Sequence, residues 1–212
     1  MKNKQQHYKN QAETIIKNLE KRHMAGSYFP SAKEAGDFLM SEIKEGSSVG
    51  VGGTQTLEEM GIKEALPKRE DLTLYLRKPN QTYADMEELY IKSFSADYYL
   101  MSTNAITLNG ELFNIDGLGN RTAALIYGPK KVFVVCGINK VCPDLDSAIS
   151  RARNTAAPEN CIRLEKNTPC SKTGKCIDCM SEDTICSQFV YTRHSAIPGR
   201  IHVILIGESL GY

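Results

Sequence analysis

The sequence predicts an α/β fold in which a largely parallel sheet is flanked by helices. Three observations predict it. Segments with helical periodicity alternate along the chain with short apolar strands. Two runs, residues 131–136 (KVFVVC) and 200–206 (RIHVILI), are apolar at most positions, as strands buried on both faces are. The N-terminal residues 2–24 place Tyr8, Ala12, Ile15, Ile16 and Leu19 on one helical stripe.

The remaining elements follow in order. Residues 33–45 read as a second helix, with Ala35, Phe38, Leu39 and Ile43 inward. A short strand at 48–51 runs into Gly52 and Gly53. Residues 56–66 are helical in pattern, 72–76 alternate like a strand, and 83–94 are again helix-like. A short apolar strand follows at 98–101. Asn109-Gly110 is a strong hairpin signal, because both residues tolerate positive φ, and 111–115 form the return strand. Residues 117–127 read as a loop feeding a helix. After the strand at 131–136, residues 144–156 are helical, with Leu145, Ala148, Ile149 and Ala152 at helical spacing. Residues 162–164 look strand-like. A cysteine-rich insertion at 165–190 precedes the last strand. The 212 residues suffice for one domain carrying such an appendage.

Composition excludes several classes. Hydrophobic residues are 41% and charged residues 24%, proportions of a globular chain rather than a disordered one. The net charge is +1 and no basic stripe is present, so no nucleic-acid partner is expected. No apolar run is long enough to span a membrane. The polar N-terminus lacks a signal core, so a cytoplasmic location with reduced thiols is expected.

The sharpest chemical signal is Cys170, Cys176, Cys179 and Cys186, four of the seven cysteines, in a C-x5-C-x2-C-x6-C pattern. Four thiolates this close in sequence can converge on one metal centre without closing long loops. Only Cys176–Cys179 has the spacing of a zinc knuckle, and neither standard ferredoxin run matches. Iron–sulfur cluster, zinc and unligated redox thiols all stay open. Cys136, Cys142 and Cys161 read as small buried residues.

Two further segments carry polar chemistry. Gly50–Thr56 lies between a strand and a helix and offers free backbone N–H groups and two hydroxyls. It matches neither the Walker loop nor the dinucleotide fingerprint. It suits a phosphate or carboxylate at a helix N-terminus, or is simply a turn capped by Thr54 or Thr56. The loop from Asn104 to Arg121 collects Asn104, Glu111, Asn114, Asp116, Asn120 and Arg121 among glycines. Arg121 could grip a carboxylate, and Asp116 or Glu111 could act as base or nucleophile. Asn–Gly and Asp–Gly are also ordinary turn residues.

The segments GVGGTQTLEEMGI, ADYYLMSTNAITLNGELFNIDGLGNR, GPKKVFVVCGINK and RIHVILIGESLGY together resemble the lactate-utilisation (LUD-domain) family, over roughly residues 10–212. The resemblance implies a fold like the sugar-phosphate isomerase and coenzyme A-transferase group, with ligands near the C-terminal strand ends. Carried onto this chain, it implies a pocket of Gly52, Gly53, Thr54, Asn104, Asp116, Gly117, Asn120 and Arg121. The expected function is that of a component in lactate (small hydroxy acid) oxidation. It would bind a small anion and a metal centre, alongside iron–sulfur oxidoreductase subunits. The alternative is an anion-binding regulatory module with structural zinc. Acyl transfer through Glu111 is a third option, resting on fold analogy alone.

Overall fold

The structure, a computed structural model, describes residues 2–212. Six strands form one all-parallel sheet in the order β1-β10-β7-β4-β2-β3. These are β1 (Ala25–Phe29), β2 (Ser48–Val51), β3 (Thr73–Tyr75), β4 (Tyr98–Ser102), β7 (Lys131–Gly137) and β10 (Ile201–Ile206). A second sheet of β5 (Ala105–Thr107), β6 (Leu112–Asp116), β8 (Val141–Cys142) and β9 (Gln188–Thr192) is mixed, in the order β8-β5-β6-β9. The helices are α1 (Lys2–Lys21), α2 (Ala32–Glu42), α3 (Gln55–Glu59), α4 (Ile62–Ala65), α5 (Tyr83–Phe94), α6 (Asn120–Ile126), α7 (Leu145–Arg151), α8 (Ala157–Arg163) and α9 (Pro169–Thr173).

Alternation within the central strands builds the two faces of the parallel sheet. Val132, Val134, Val203 and Leu205 turn towards α1, through Ala12, Ile15 and Leu19, and towards Ile106 and Leu112 of the second sheet. Phe133, Val135, Ile204 and Ile206 turn the other way, onto Ala35 and Leu39 of α2 and onto Leu57, Ile62 and Leu66. With both faces covered, β7 and β10 are buried almost throughout, which is why their sequences read as apolar runs.

The structure corrects the sequence reading in five places. Residues 25–29 (AGSYF) form β1. This short, half-polar edge strand pairs only with β10, so it lacks the apolar density of the inner strands. The helix expected at 56–66 is broken at Gly61, whose φ of +70° sits in the left-handed region. The helix expected to stop at 156 continues through a π-helical turn, Ala152–Ala156, into α8. Pro158 follows directly on the π-helical turn, where the regular i to i−4 ladder is already interrupted, and residues 162 and 163 close α8 and are not a strand. Finally, β9 lies between the cysteine segment and β10 and pairs with β6 in the second sheet.

Candidate functional site

Strands β2, β3, β4 and β7 run parallel, and the segments leaving their carboxyl ends converge on one cavity of about 260 Å³. Val51, Gly53, Thr54 and Gln55 come from the end of β2, and Arg77 follows β3. Ser102, Thr103 and Asn104 follow β4, and Lys140 follows β7. Asp116, Gly117, Asn120 and Arg121 enter from the end of β6 and the start of α6. Of the eight pocket residues expected from the sequence, seven line this cavity, and Gly52 lies on the adjoining depression with Gly53 and Thr54.

Gly52 and Thr54 each have a local reason. A Cβ at Gly52 would come within 3.0 Å of the Tyr99 hydroxyl and 3.1 Å of the Arg121 side chain, so only glycine lets these pack together. Gly53 has open space where a Cβ would sit. Thr54 caps α3 by accepting from the Leu57 N–H at 3.4 Å. Since α3 is five residues long, its dipole adds little to anion binding, contrary to the helix-terminus reading.

Arg121 is buried and its fork is engaged. Nη1 donates to the Ser102 carbonyl and to Asn114 Oδ1, both at 2.8 Å, and Nη2 donates to the Ile115 carbonyl at 2.9 Å and to Asn104 Oδ1 at 3.3 Å. Its Nε lies 3.7 Å from Asp116 Oδ1, and Asp116 Oδ2 accepts from the Thr122 N–H at 2.9 Å. Arg121 therefore locks β4, β6 and α6 together. It contributes positive charge to the cavity wall instead of the open bidentate clamp expected from sequence. Glu111 lies outside the cavity. It pairs with Arg22 at 3.1 Å and accepts from Tyr191 at 2.8 Å and Thr107 at 2.9 Å. Burial raises its carboxyl pKa, but the hydrogen bonds from Tyr191, Thr107 and Arg22 outweigh that and hold it below the ordinary value. Its role is to tie α1 to the hairpin, which removes the basis for acyl transfer through it.

The sequence reading missed Lys140. This lysine is 3% exposed, and its Nζ donates to Thr56 Oγ1 at 2.9 Å and Ser102 Oγ at 3.0 Å. Burial pushes its ammonium down to about 8, with the charges of Arg151 and Arg121 acting in the same direction. The available signal was a lysine three residues after the apolar strand 131–137, followed by Val141 and Cys142. Thr56, read as a possible cap, is instead buried and engaged with Lys140, Ser102 and the Leu210 carbonyl. Among the described lining residues, Arg77, Arg121, Lys140 and Arg163 are basic and Asp116 alone is acidic. The cavity wall is thus mostly basic, with amide and hydroxyl groups along it.

Cys170, Cys176, Cys179 and Cys186 line a second, smaller cavity of about 70 Å³, and Cys161 lines it with them. Among the described residues, no three His, Cys, Asp or Glu side chains meet as ligands to a single ion. Thr168 Oγ1 lies 3.3 Å from Cys170 Sγ, and Arg153 Nη2 lies 3.6 Å from Cys176 Sγ and 2.6 Å from Asp178 Oδ1. Burial pushes the Cys186 thiol up to about 11, and charge on Cys161, Cys170 and Cys176 would push it the same way. Cys161, read from the sequence as a small buried residue, is buried and also lines this pocket.

Fold and cavity together describe an α/β protein with a cavity lined by basic residues at the carboxyl ends of its parallel strands. The family model for the LUD domain matches residues 12–206, and the chain belongs to that family, which is associated with lactate utilisation. Among solved structures, a DUF162 family protein from Deinococcus radiodurans is similar at 11% identity with a TM-score of 0.53, covering 94% of this chain and 98% of that one. At this identity the likeness speaks for the fold alone. The β subunit of eIF2B from Chaetomium thermophilum aligns over 55% of this chain and 44% of its own, at 22% identity and a TM-score of 0.40. No curated protein matches. Among the described residues, no helix is long and apolar enough to cross a membrane.

Proposed function

We propose that this chain binds a small anionic hydroxy acid such as lactate as a component of a lactate-oxidation system. The observation that carries the reading is the basic cavity, where four cationic side chains face one carboxylate at the strand ends. The cavity, at about 260 Å³, suits a small molecule, and Thr54, Asn104 and Asn120 offer groups for a substrate hydroxyl. The placement at strand ends agrees with the isomerase- and coenzyme A-transferase-like assignment, which belongs to the same proposal. So does a metal centre, iron–sulfur or zinc, at Cys170, Cys176, Cys179 and Cys186.

Oxidising a hydroxy acid removes two electrons, and the sequence has no dinucleotide fingerprint to hold a two-electron acceptor. The acceptor is therefore assigned to partner iron–sulfur oxidoreductase subunits in the cytoplasm. The alternative, an anion-sensing module with structural zinc, is favoured by the engagement of Asp116, whose carboxylate accepts from the Thr122 N–H and faces Arg121.

Calorimetry with lactate tests the reading. The unmodified chain should bind, and Gly53→Val combined with Thr54→Ala should weaken binding at least tenfold. Valine at 53 meets open space, so it narrows the cavity without displacing the fold. Equal affinity in the two proteins would locate binding elsewhere.

A further inference from the structure

We propose that the Nζ amine of Lys140 captures a short 2-oxo acid in the basic cavity as a reversible imine. The inference rests on the reading of that cavity as a small-acid site and adds a covalent step at one named atom.

The first observation is where the chain places this amine. Lys140 stands three residues past β7 and is 3% exposed, yet it lines the cavity together with Ser102, Thr103 and Asn104. Two of its three N–H groups are engaged, by Thr56 Oγ1 at 2.9 Å and Ser102 Oγ at 3.0 Å. Both partners are neutral hydroxyls. Backbone covers the amine on another side. Thr56 donates to the Leu210 carbonyl at 3.3 Å, and a Cβ at Gly211 would come within 3.2 Å of Nζ.

The second observation is the charge around it. A lysine this deeply buried is ordinarily paired with a carboxylate. Here the charged and titratable neighbours are Cys136 of β7, Arg151 of α7, Arg121 of α6 and Glu59 of α3. Glu59 accepts from the Gly211 N–H at 2.8 Å, and burial pushes the Cys136 thiol up to about 11, so neither is a close anionic partner. Burial and the two guanidinium groups disfavour the ammonium. With its pKa at about 8, about one amine in ten is neutral at pH 7, against about one in three thousand at 10.5. Desolvation beside other cations is a recognised way to make a lysine nucleophilic.

The chemical class of the ligand follows from the same wall. Arg77 and Arg163 line the cavity, and neither forms an ion pair among the described residues, so they are available to a carboxylate. A 2-oxo acid adds an electrophilic carbonyl carbon beside that carboxylate. Nitrogen forms the new C–N bond, the carbonyl oxygen becomes a hydroxyl, and that hydroxyl leaves as water. In balance, one ammonium and one carbonyl give one protonated imine and one water, with no oxidant or reductant. The hydroxyls of Thr56 and Ser102 lie within hydrogen-bond reach of the nitrogen and are placed to pass the protons. A hydroxy acid offers no such carbon. Covalent capture therefore distinguishes the oxidised acid from the reduced one within a single cavity.

The test incubates the full chain with pyruvate and sodium cyanoborohydride, which reduces an imine to a stable secondary amine. The expected result is a mass gain of one carboxyethyl group per chain, assigned to Lys140 by peptide mapping. At pH 7 this label should form at least tenfold faster than label at Lys92, an exposed lysine of α5. Lys140→Arg should lose the fast label, with circular dichroism to confirm its fold. Peptide mapping of the unsubstituted chain identifies the reacting lysine even where the variant does not fold. Labelling at Lys140 no faster than at Lys92 would overturn the proposal. Lactate calorimetry on the same preparation separates the two readings. Lactate binding without the Lys140 label would overturn the imine and leave the small-acid site standing. The Lys140 label without lactate binding would support the imine and overturn the hydroxy-acid reading.

Discussion

Replacing Lys140 by methionine separates what stabilises this protein from what gives its cavity charge. Lys140 is almost wholly buried, and its ammonium is pushed from 10.5 down to about 8. A folded-state pKa below the unfolded value means that the unfolded chain binds more protons, so stability rises with pH between these values. At pH 7 the burden is about 3 kcal/mol, from roughly 1.4 kcal/mol per pKa unit. At pH 10 the folded lysine is neutral and the residual burden is about 1 kcal/mol. Methionine removes that burden but also loses two hydrogen bonds, to Thr56 and Ser102, worth about 1 kcal/mol each. The variant should therefore be more stable than the parent by about 1 kcal/mol at pH 7 and less stable by about 1 kcal/mol at pH 10. For a chain of this size that is about 2–4 °C in Tm in each direction. Differential scanning calorimetry of both proteins from pH 7 to pH 10 reads this crossover, and lactate calorimetry at pH 7 should show weakened binding in the stabilised variant. A Tm difference that stays constant across the range would refute the assignment of a buried, charged lysine.

Two other substitutions probe the frame around the site. Gly110 sits at φ +80°, and a Cβ there would come within 3.0 Å of the Leu19 backbone nitrogen, so Gly110→Ala should cost about 1–3 kcal/mol in urea unfolding, and a cost under half of that would show that the hairpin tip can move off α1. Asp97 is held at about 2 by Lys130 and by the Ser48 backbone and hydroxyl, so it contributes stability above its unfolded value of 3.8 that is lost as pH falls towards 2. Asp97→Asn should flatten the acid limb of a Tm-against-pH curve between pH 4 and pH 2, and an unchanged limb would assign acid sensitivity to other carboxylates.

The sequence made the inner strands legible because burial on both faces leaves no choice but apolar residues, as Phe133 and Ile204 on one side and Val134 and Val203 on the other illustrate. β1 was not legible, because an edge strand with one partner can be built from Gly26 and Ser27. The hairpin at Asn109-Gly110 was readable from local turn chemistry, but the mixed sheet it nucleates was not. That sheet is completed by β9, about 75 residues downstream of β6, and long-range pairing leaves no local trace. The candidate pocket residues were gathered from a family resemblance, and the structure brings seven of the eight into one cavity. Lys140 escaped because its three-residue neighbourhood reads as a connector, and its partners Thr56 and Ser102 lie far away in sequence. Cys161 escaped for a similar reason: it stands nine residues before the cysteine motif, and only the continuation of α8 through Pro158 carries it to the pocket.

The two missed residues share a physical character. Each is a reactive side chain placed in the interior at a cost, a charged amine on one side and a thiol among thiols on the other. Such placements persist where the surroundings require them. Lys140 forms the cationic floor beneath Thr56 and Ser102, and Cys161 closes the thiol pocket from the rigid side of α8. Helix α8 faces both cavities, with Arg163 at its end lining the basic one and Cys161 two residues earlier lining the thiol one. The proposed anion binding and the reactivity of the thiols are therefore best measured on the same protein, because one helix lines both cavities.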